Sequence, residues 1–101
     1  MDRRLIWTEK ASADIEAIVR YILRRNPTAA TSIGMGIYDR AQILISQPEA
    51  GSILDELREG GWRKLIYKRW KIIYRAEGNT IIVGRVWPTA MGEADLTTPL
   101  D

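Results

Sequence analysis

The two side chains that most often do acid–base and nucleophilic work are missing, because the 101-residue chain contains no His and no Cys. That excludes an imidazole base, a Ser-His-Asp triad, His- or thiolate-bound zinc, a thiol nucleophile and any disulfide. Chemistry is left to carboxylates, Lys, Arg, Tyr and Ser. The bases are unevenly placed: Arg58, Arg63, Lys64, Lys68, Arg69, Lys71 and Arg75 fall within 18 positions that contain one acid, Glu59. After Arg85 there is no base at all, whereas Glu93, Asp95 and Asp101 are acidic. Such a block suits phosphates or an acidic protein surface. It equally suits the solvent face of strands whose other face is buried. Asp14 with Asp55 or Glu56 matches no metal-ligand spacing, so no metal site and no cofactor is expected.

Elements that could position these residues follow from periodicity. Residues 3–8 alternate loosely around Leu5 and Trp7 and read as a strand. Thr8 is placed to cap a helix whose apolar stripe is Ala11, Ile15, Ile18, Val19 and Ile22. Asn26-Pro27 ends it and opens a second helix with the stripe Ala30, Ile33, Ile37, Ala41, Leu44 and Ile45, stopped at Gln47-Pro48. Gly34 and Gly36 are expected to allow close packing on the first helix. Pro48-Glu49-Ala50-Gly51 is a turn and 52–61 reads as irregular. Residues 62–67, 70–76 and 80–87 then read as strands joined at Lys68-Arg69 and near Gly78-Asn79.

The order is β-α-α-β-β-β, an α+β domain with a helical hairpin packed on one face of a small, mainly antiparallel sheet. One domain spans 1–101, with 88–101 expected as a polar, loosely held tail. An apolar fraction of 46% with 28% charged residues suits a folded globular chain. No apolar run approaches the roughly 20 residues of a membrane span, and the first residues carry no secretory pattern, so a cytoplasmic protein is expected.

A two-residue turn at Lys68-Arg69 pairs Ile66 with Lys71 and Lys64 with Ile73. It places Leu65, Tyr67, Trp70, Ile72 and Tyr74 toward the helices. Lys64, Ile66, Lys71, Ile73 and Arg75 then share an open face as the expected binding patch. Arg63 falls on the Leu65 side. Arg85 alternates with Val83 and Trp87, and an inward Arg85 would pair with Asp14 or Glu16. Lys68 and Arg69 read as solvated turn residues, and Arg20, Tyr21, Arg24 and Arg25 as a second, helical contact surface. Tyr67 and Tyr74 read as core aromatics with a bonded hydroxyl, and Trp70 and Trp87 as packing at the sheet end.

The ordered pieces Trp7…Ala11…Asp14-Ile15…Ile18…Tyr21-Ile22, Asn26-Pro27…Ala29-Ala30, Pro48-Glu49-Ala50-Gly51 and Glu56-Leu57-Arg58 belong together. Trp70-Lys71-Ile72-Ile73-Tyr74-Arg75 and Ile82-Val83-Gly84-Arg85-Val86-Trp87 continue the series. Across roughly residues 5 to 88 the chain resembles the RelE/ParE superfamily of toxins from type II toxin–antitoxin systems, nearer the ParE branch. The resemblance implies a toxin that inhibits DNA gyrase and replication and is neutralised by a cognate, ParD-like antitoxin in a hetero-oligomer. The alternative it leaves open is a RelE-like, ribosome-dependent mRNA endonuclease; a non-toxic nucleic-acid-binding module is the reading outside the toxins. The cleaving branch carries an Arg after the last strand, with a Tyr or His close behind. Here Pro88-Thr89-Ala90-Met91-Gly92-Glu93 has none of these, and Trp87 stands where that family usually has His. Binding is therefore expected over catalysis, and no catalytic residue is assigned.

Overall fold

The computed structural model describes residues 3–91. Strand β1 (Arg4–Trp7) leads into helix α1 (Glu9–Leu23), helix α2 (Pro27–Ala41) and the single turn α3 (Ile43–Ser46). Strand β2 (Ser52–Ile53) and a 3-10 segment (Asp55–Gly60) precede the meander β3 (Arg63–Tyr67), β4 (Trp70–Glu77) and β5 (Thr80–Pro88). The sheet order is β1-β5-β4-β3-β2, with β1 parallel to β5 and the other pairs antiparallel. The expected α+β order holds, with one strand more than the sequence shows. β2 is only two residues long and both are exposed, so it has no alternation to read.

The helix boundaries arise where the sequence places them. The Thr8 hydroxyl accepts the Ala11 N–H at 3.1 Å and donates to the Gly84 carbonyl at 3.0 Å, so one side chain caps α1 and ties it to β5. Asn26 accepts the Ala29 N–H at 3.1 Å, and Pro27 occupies the first turn of α2. The stripes of the two helices meet the sheet in one core that includes Ala11, Ile15, Ile37, Leu44, Leu65, Ile72, Tyr74, Ile81, Val83 and Val86. Fully burying a side chain the size of Ile72 or Ile81 is worth roughly 1.5–3 kcal/mol. Gly34 does allow the helix contact, since a Cβ there would lie 3.0 Å from Val19. Gly36 does not face α1. It makes room for the Tyr67 hydroxyl of β3, into which an added Cβ would run.

Lys68-Arg69 is the two-residue turn expected, and the register Lys64↔Ile73, Leu65↔Ile72, Ile66↔Lys71 follows from it. The second hairpin departs from simple alternation. Ile73 pairs with Arg85 but Tyr74 pairs with Val83, so Gly84 is an extra residue in β5. Val86 thereby joins Ile81 and Val83 in the core, while Arg85 and Trp87 fall on the opposite face. Pro88 still belongs to β5, and Thr89–Met91 form a 3-10 turn tied by the Thr89 N–H to the Arg69 carbonyl at 2.8 Å. The loosely held tail expected from residue 88 therefore does not begin there; its part at 92–101 lies outside the described residues.

The second face of the sheet is not open. Leu54 and Trp62 bury Ile73 there, with Trp87 packed against them. Ile73 is fully buried and Lys71 only 8% exposed, so neither belongs to an exposed patch. The covering segment, 52–62, reads as irregular and has no periodicity that announces it.

Candidate functional site

β1 stops pairing at Trp7↔Val83, which leaves the next residues of β5 with an unpaired edge. The start of α1 takes over. The Thr8 N–H donates to the Val83 carbonyl at 3.1 Å, and the Asp14 carboxylate accepts the Val86 N–H at 2.9 Å. The same carboxylate accepts from Arg85 Nε at 2.8 Å and Nη2 at 3.0 Å, a two-pronged, charge-assisted pair. The Arg85 guanidinium also lies 4.8 Å from the Trp87 ring centre. The expected Asp14 partnership is present, but Arg85 is on the second face and not inward with Val83, because of the extra residue at Gly84.

Beside this pair, between α1 and the ends of β4 and β5, lies a groove of about 510 Å³. Its apolar floor is Ile18, Trp70, Val86 and Trp87; Tyr21 and Arg69 stand at the rim. A shallower depression continues over Ala17, Arg20, Tyr21 and Arg24. Tyr21 is 61% exposed, with the Arg25 guanidinium 5.0 Å from its ring centre, and Arg20 pairs with Glu16 at 3.1 Å. The structure thus brings Arg20, Tyr21, Arg24 and Arg69 into one rim. Arg69 had no visible tie to the helix in the sequence, and the groove itself had no local signal, since its walls come from several elements far apart in the chain.

On the second face, two rows cross the sheet: Lys64, Ile73, Arg85 and Ile66, Lys71, Trp87. Ile66 is 45% exposed and Lys64 half-buried. Arg75 is half-buried, stacked 5.1 Å over Trp62 and paired with Glu77 at 3.2 Å. Of the five patch residues expected, Lys64, Ile66 and Arg75 reach solvent; Ile73 and Lys71 are buried. Arg63 lies on the core side, where its Nη1 donates to the Gly51 carbonyl at 2.8 Å. Lys68 occupies the turn at φ 53° with its ammonium 5.8 Å from the Tyr67 ring centre.

Tyr74 is a titratable group clearly displaced by its surroundings. Burial raises its pKa above the ordinary 10.0, outweighing the Gly51 N–H hydrogen bond and the nearby Arg63 charge, which lower it. Its hydroxyl accepts that N–H at 2.9 Å and donates to the Pro48 carbonyl at 2.7 Å, holding the 48–51 turn. It is a structural tyrosine, as its spacing suggested. Among the described residues no three carboxylates converge as a metal site would require, and no helix is long and apolar enough to cross a membrane.

The model of the ParE toxin of the type II toxin–antitoxin system parDE matches residues 5–92, and the chain belongs to this family. It is therefore a toxin of the type II toxin–antitoxin class. Among solved structures, the chromosomal ParDE toxin–antitoxin system of P. aeruginosa superposes with a TM-score of 0.75 at 24% identity, over 85% of this chain and 95% of that one. The RelBE2 toxin–antitoxin complex of Mycobacterium tuberculosis superposes at 0.55 and 21% identity, over 87% and 99%. These two likenesses are of fold. No curated protein sequence matches the chain significantly.

Proposed function

We propose that the chain acts by binding, as an inhibitor of DNA gyrase and hence of replication, and that a cognate ParD-like antitoxin neutralises it. The observation that carries the reading is the run Trp87-Pro88-Thr89-Ala90-Met91-Gly92-Glu93, without Arg, Tyr or His, in a chain of the ParE family. RNA cleavage through the 2′-oxygen needs a proton acceptor, a proton donor and positive charge on the phosphate. The groups nearest to that need are committed elsewhere. The Tyr74 hydroxyl is bonded to the 48–51 turn, Lys71 is buried, and Arg85 is held by Asp14.

Support for a protein target comes from the surfaces that remain. Ile66 with Lys64 and Arg75, and Tyr21 with Arg20 and Arg24, each combine apolar area with cations. Both suit an amphipathic acidic segment, laid as a helix in a groove or added as a strand. The two solved relatives come from toxin–antitoxin systems, which supports an antitoxin partner and a hetero-oligomer here. The site of action is the cytoplasm, where replication proceeds.

Induced expression without the antitoxin tests the reading. DNA synthesis should stop before protein synthesis, and the purified chain should inhibit supercoiling by gyrase. Immediate arrest of translation with mRNA cut on the ribosome would overturn it in favour of a RelE-like endonuclease. Harmless expression with tight nucleic-acid binding would overturn it in favour of a binding module.

A further inference from the structure

An acidic amphipathic segment can be held as a helix in a groove or as an added strand, and the edge of β5 tells the two apart. Val86 pairs with Ile72 of β4, yet its N–H turns away from β4 and is taken by the Asp14 carboxylate at 2.9 Å. In an antiparallel pair the N–H and C=O of one residue point to the same side, and the side alternates along the strand. The Val86 and Pro88 carbonyls therefore also point from the outer edge of β5, where both residues line the groove beside α1. An added strand needs donors there as well as acceptors. The Val86 N–H is already taken and Pro88 has none, so these two residues offer carbonyls and no donor.

A helix makes its own backbone bonds and asks of a groove only apolar area and charge. Both are present. The floor of Ile18, Trp70, Val86 and Trp87 is flanked by Arg20 and Arg24, one turn apart on α1, and by Arg69 from the β3–β4 turn. The Arg20–Glu16 pair is mostly exposed and exchanges readily for another acid.

We propose that this groove receives one amphipathic helix of the antitoxin, with large apolar side chains on the floor and acids on both flanks, and that the outer edge of β5 takes no strand. The inference rests on the antitoxin reading and adds to it the site, the backbone form and the side-chain pattern of the segment. Apolar area supplies the attraction, and acids that meet Arg24 and Arg69 from opposite flanks fix the orientation.

The complex of the full chain with its cognate antitoxin provides the test. Arg24→Glu with Arg69→Glu, both at exposed positions, should weaken binding at least tenfold. Arg4→Glu, beside Thr80 at the other end of β5, should change it less than twofold. Isotope-labelled antitoxin in the complex should show helical carbon shifts in the segment that contacts the Trp70 and Trp87 side chains. Pro88→Ala supplies the missing donor and should bring no gain in affinity. Strand shifts in that segment, tighter binding by Pro88→Ala, or full affinity in the double arginine variant overturns the proposal while the antitoxin reading stands. Trp70 and Trp87 signals that move with chain concentration alone mean that a second copy fills the groove, and overturn it too. Gyrase inhibition lost in the double variant with antitoxin binding intact gives the groove to the target, again overturning it. A parent chain that forms no complex with the antitoxin overturns the antitoxin reading itself, and this proposal with it.

Discussion

Asp14 of α1 holds the Arg85 side chain and the Val86 backbone N–H at once, 71 and 72 positions away in sequence. It does at the end of β5 what a further residue of β1 would otherwise do. The two side chains are only 17% and 14% exposed, so this pair is screened far less than a surface ion pair. Asp14→Ala should cost about 2–3 kcal/mol, since it leaves a buried N–H and a guanidinium short of partners. Asp14→Asn keeps an acceptor for Val86 and should cost about half as much. Urea unfolding of both variants, with Arg85→Ala completing a double-mutant cycle, checks the size and the coupling.

Lys64 and Lys71 both carry charge on the second face but should respond differently. Lys71 is 8% exposed, so Lys71→Glu should cost more than about 2 kcal/mol and lower the melting temperature by many degrees. Lys64→Glu should cost under about 1 kcal/mol. If this face contacts a partner, Lys64→Glu with Ile66→Asp should weaken antitoxin binding or toxicity at near-native stability. Thermal melts alongside a growth assay separate the two effects.

Gly51 cannot accept a side chain. An added Cβ would lie 2.5 Å from the Lys64 carbonyl and 2.8 Å from the Tyr74 ring and hydroxyl. Because the nearest obstacle is backbone, Gly51→Ala should destabilise by about 1–3 kcal/mol. Denaturant midpoints measure it, with Glu49→Ala on the exposed part of the same turn as a near-neutral control.

Tyr74 should show itself at alkaline pH. Its pKa is raised on folding, so its hydroxyl stays protonated in the folded chain where the unfolded chain has begun to ionise. The stability this contributes is complete below the unfolded value near 10 and is lost as pH rises through the folded one. Tyr74→Phe should cost about 1–2 kcal/mol at neutral pH, through the lost bonds to Pro48 and Gly51. Above about pH 10 its stability should fall less steeply than that of the parent chain. Unfolding free energies measured across that range give both numbers.

Short-range pattern was enough for much of this molecule. Thr8 and Asn26 as caps, the stripes of α1 and α2, and the Lys68-Arg69 turn with its Ile66↔Lys71 register are all legible in the sequence. So is the likeness that the family match supports. The caps, the stripes and the turn each depend on residues within one or two turns of helix or one hairpin, where period and capping chemistry suffice. What decided the surface was not local. One extra residue at Gly84 put Arg85 and Trp87 on the opposite face from Val83, and the unpatterned segment 52–62 buried Ile73 under Leu54 and Trp62. The parallel pairing of β1 with β5 ended at Val83 and made Asp14 the guard of the remaining edge. A strand's alternation says which residues share a face only until a bulge shifts it, and it never says what will cover that face. Those outcomes rest on contacts between residues far apart in the chain, and only the folded structure brings them together.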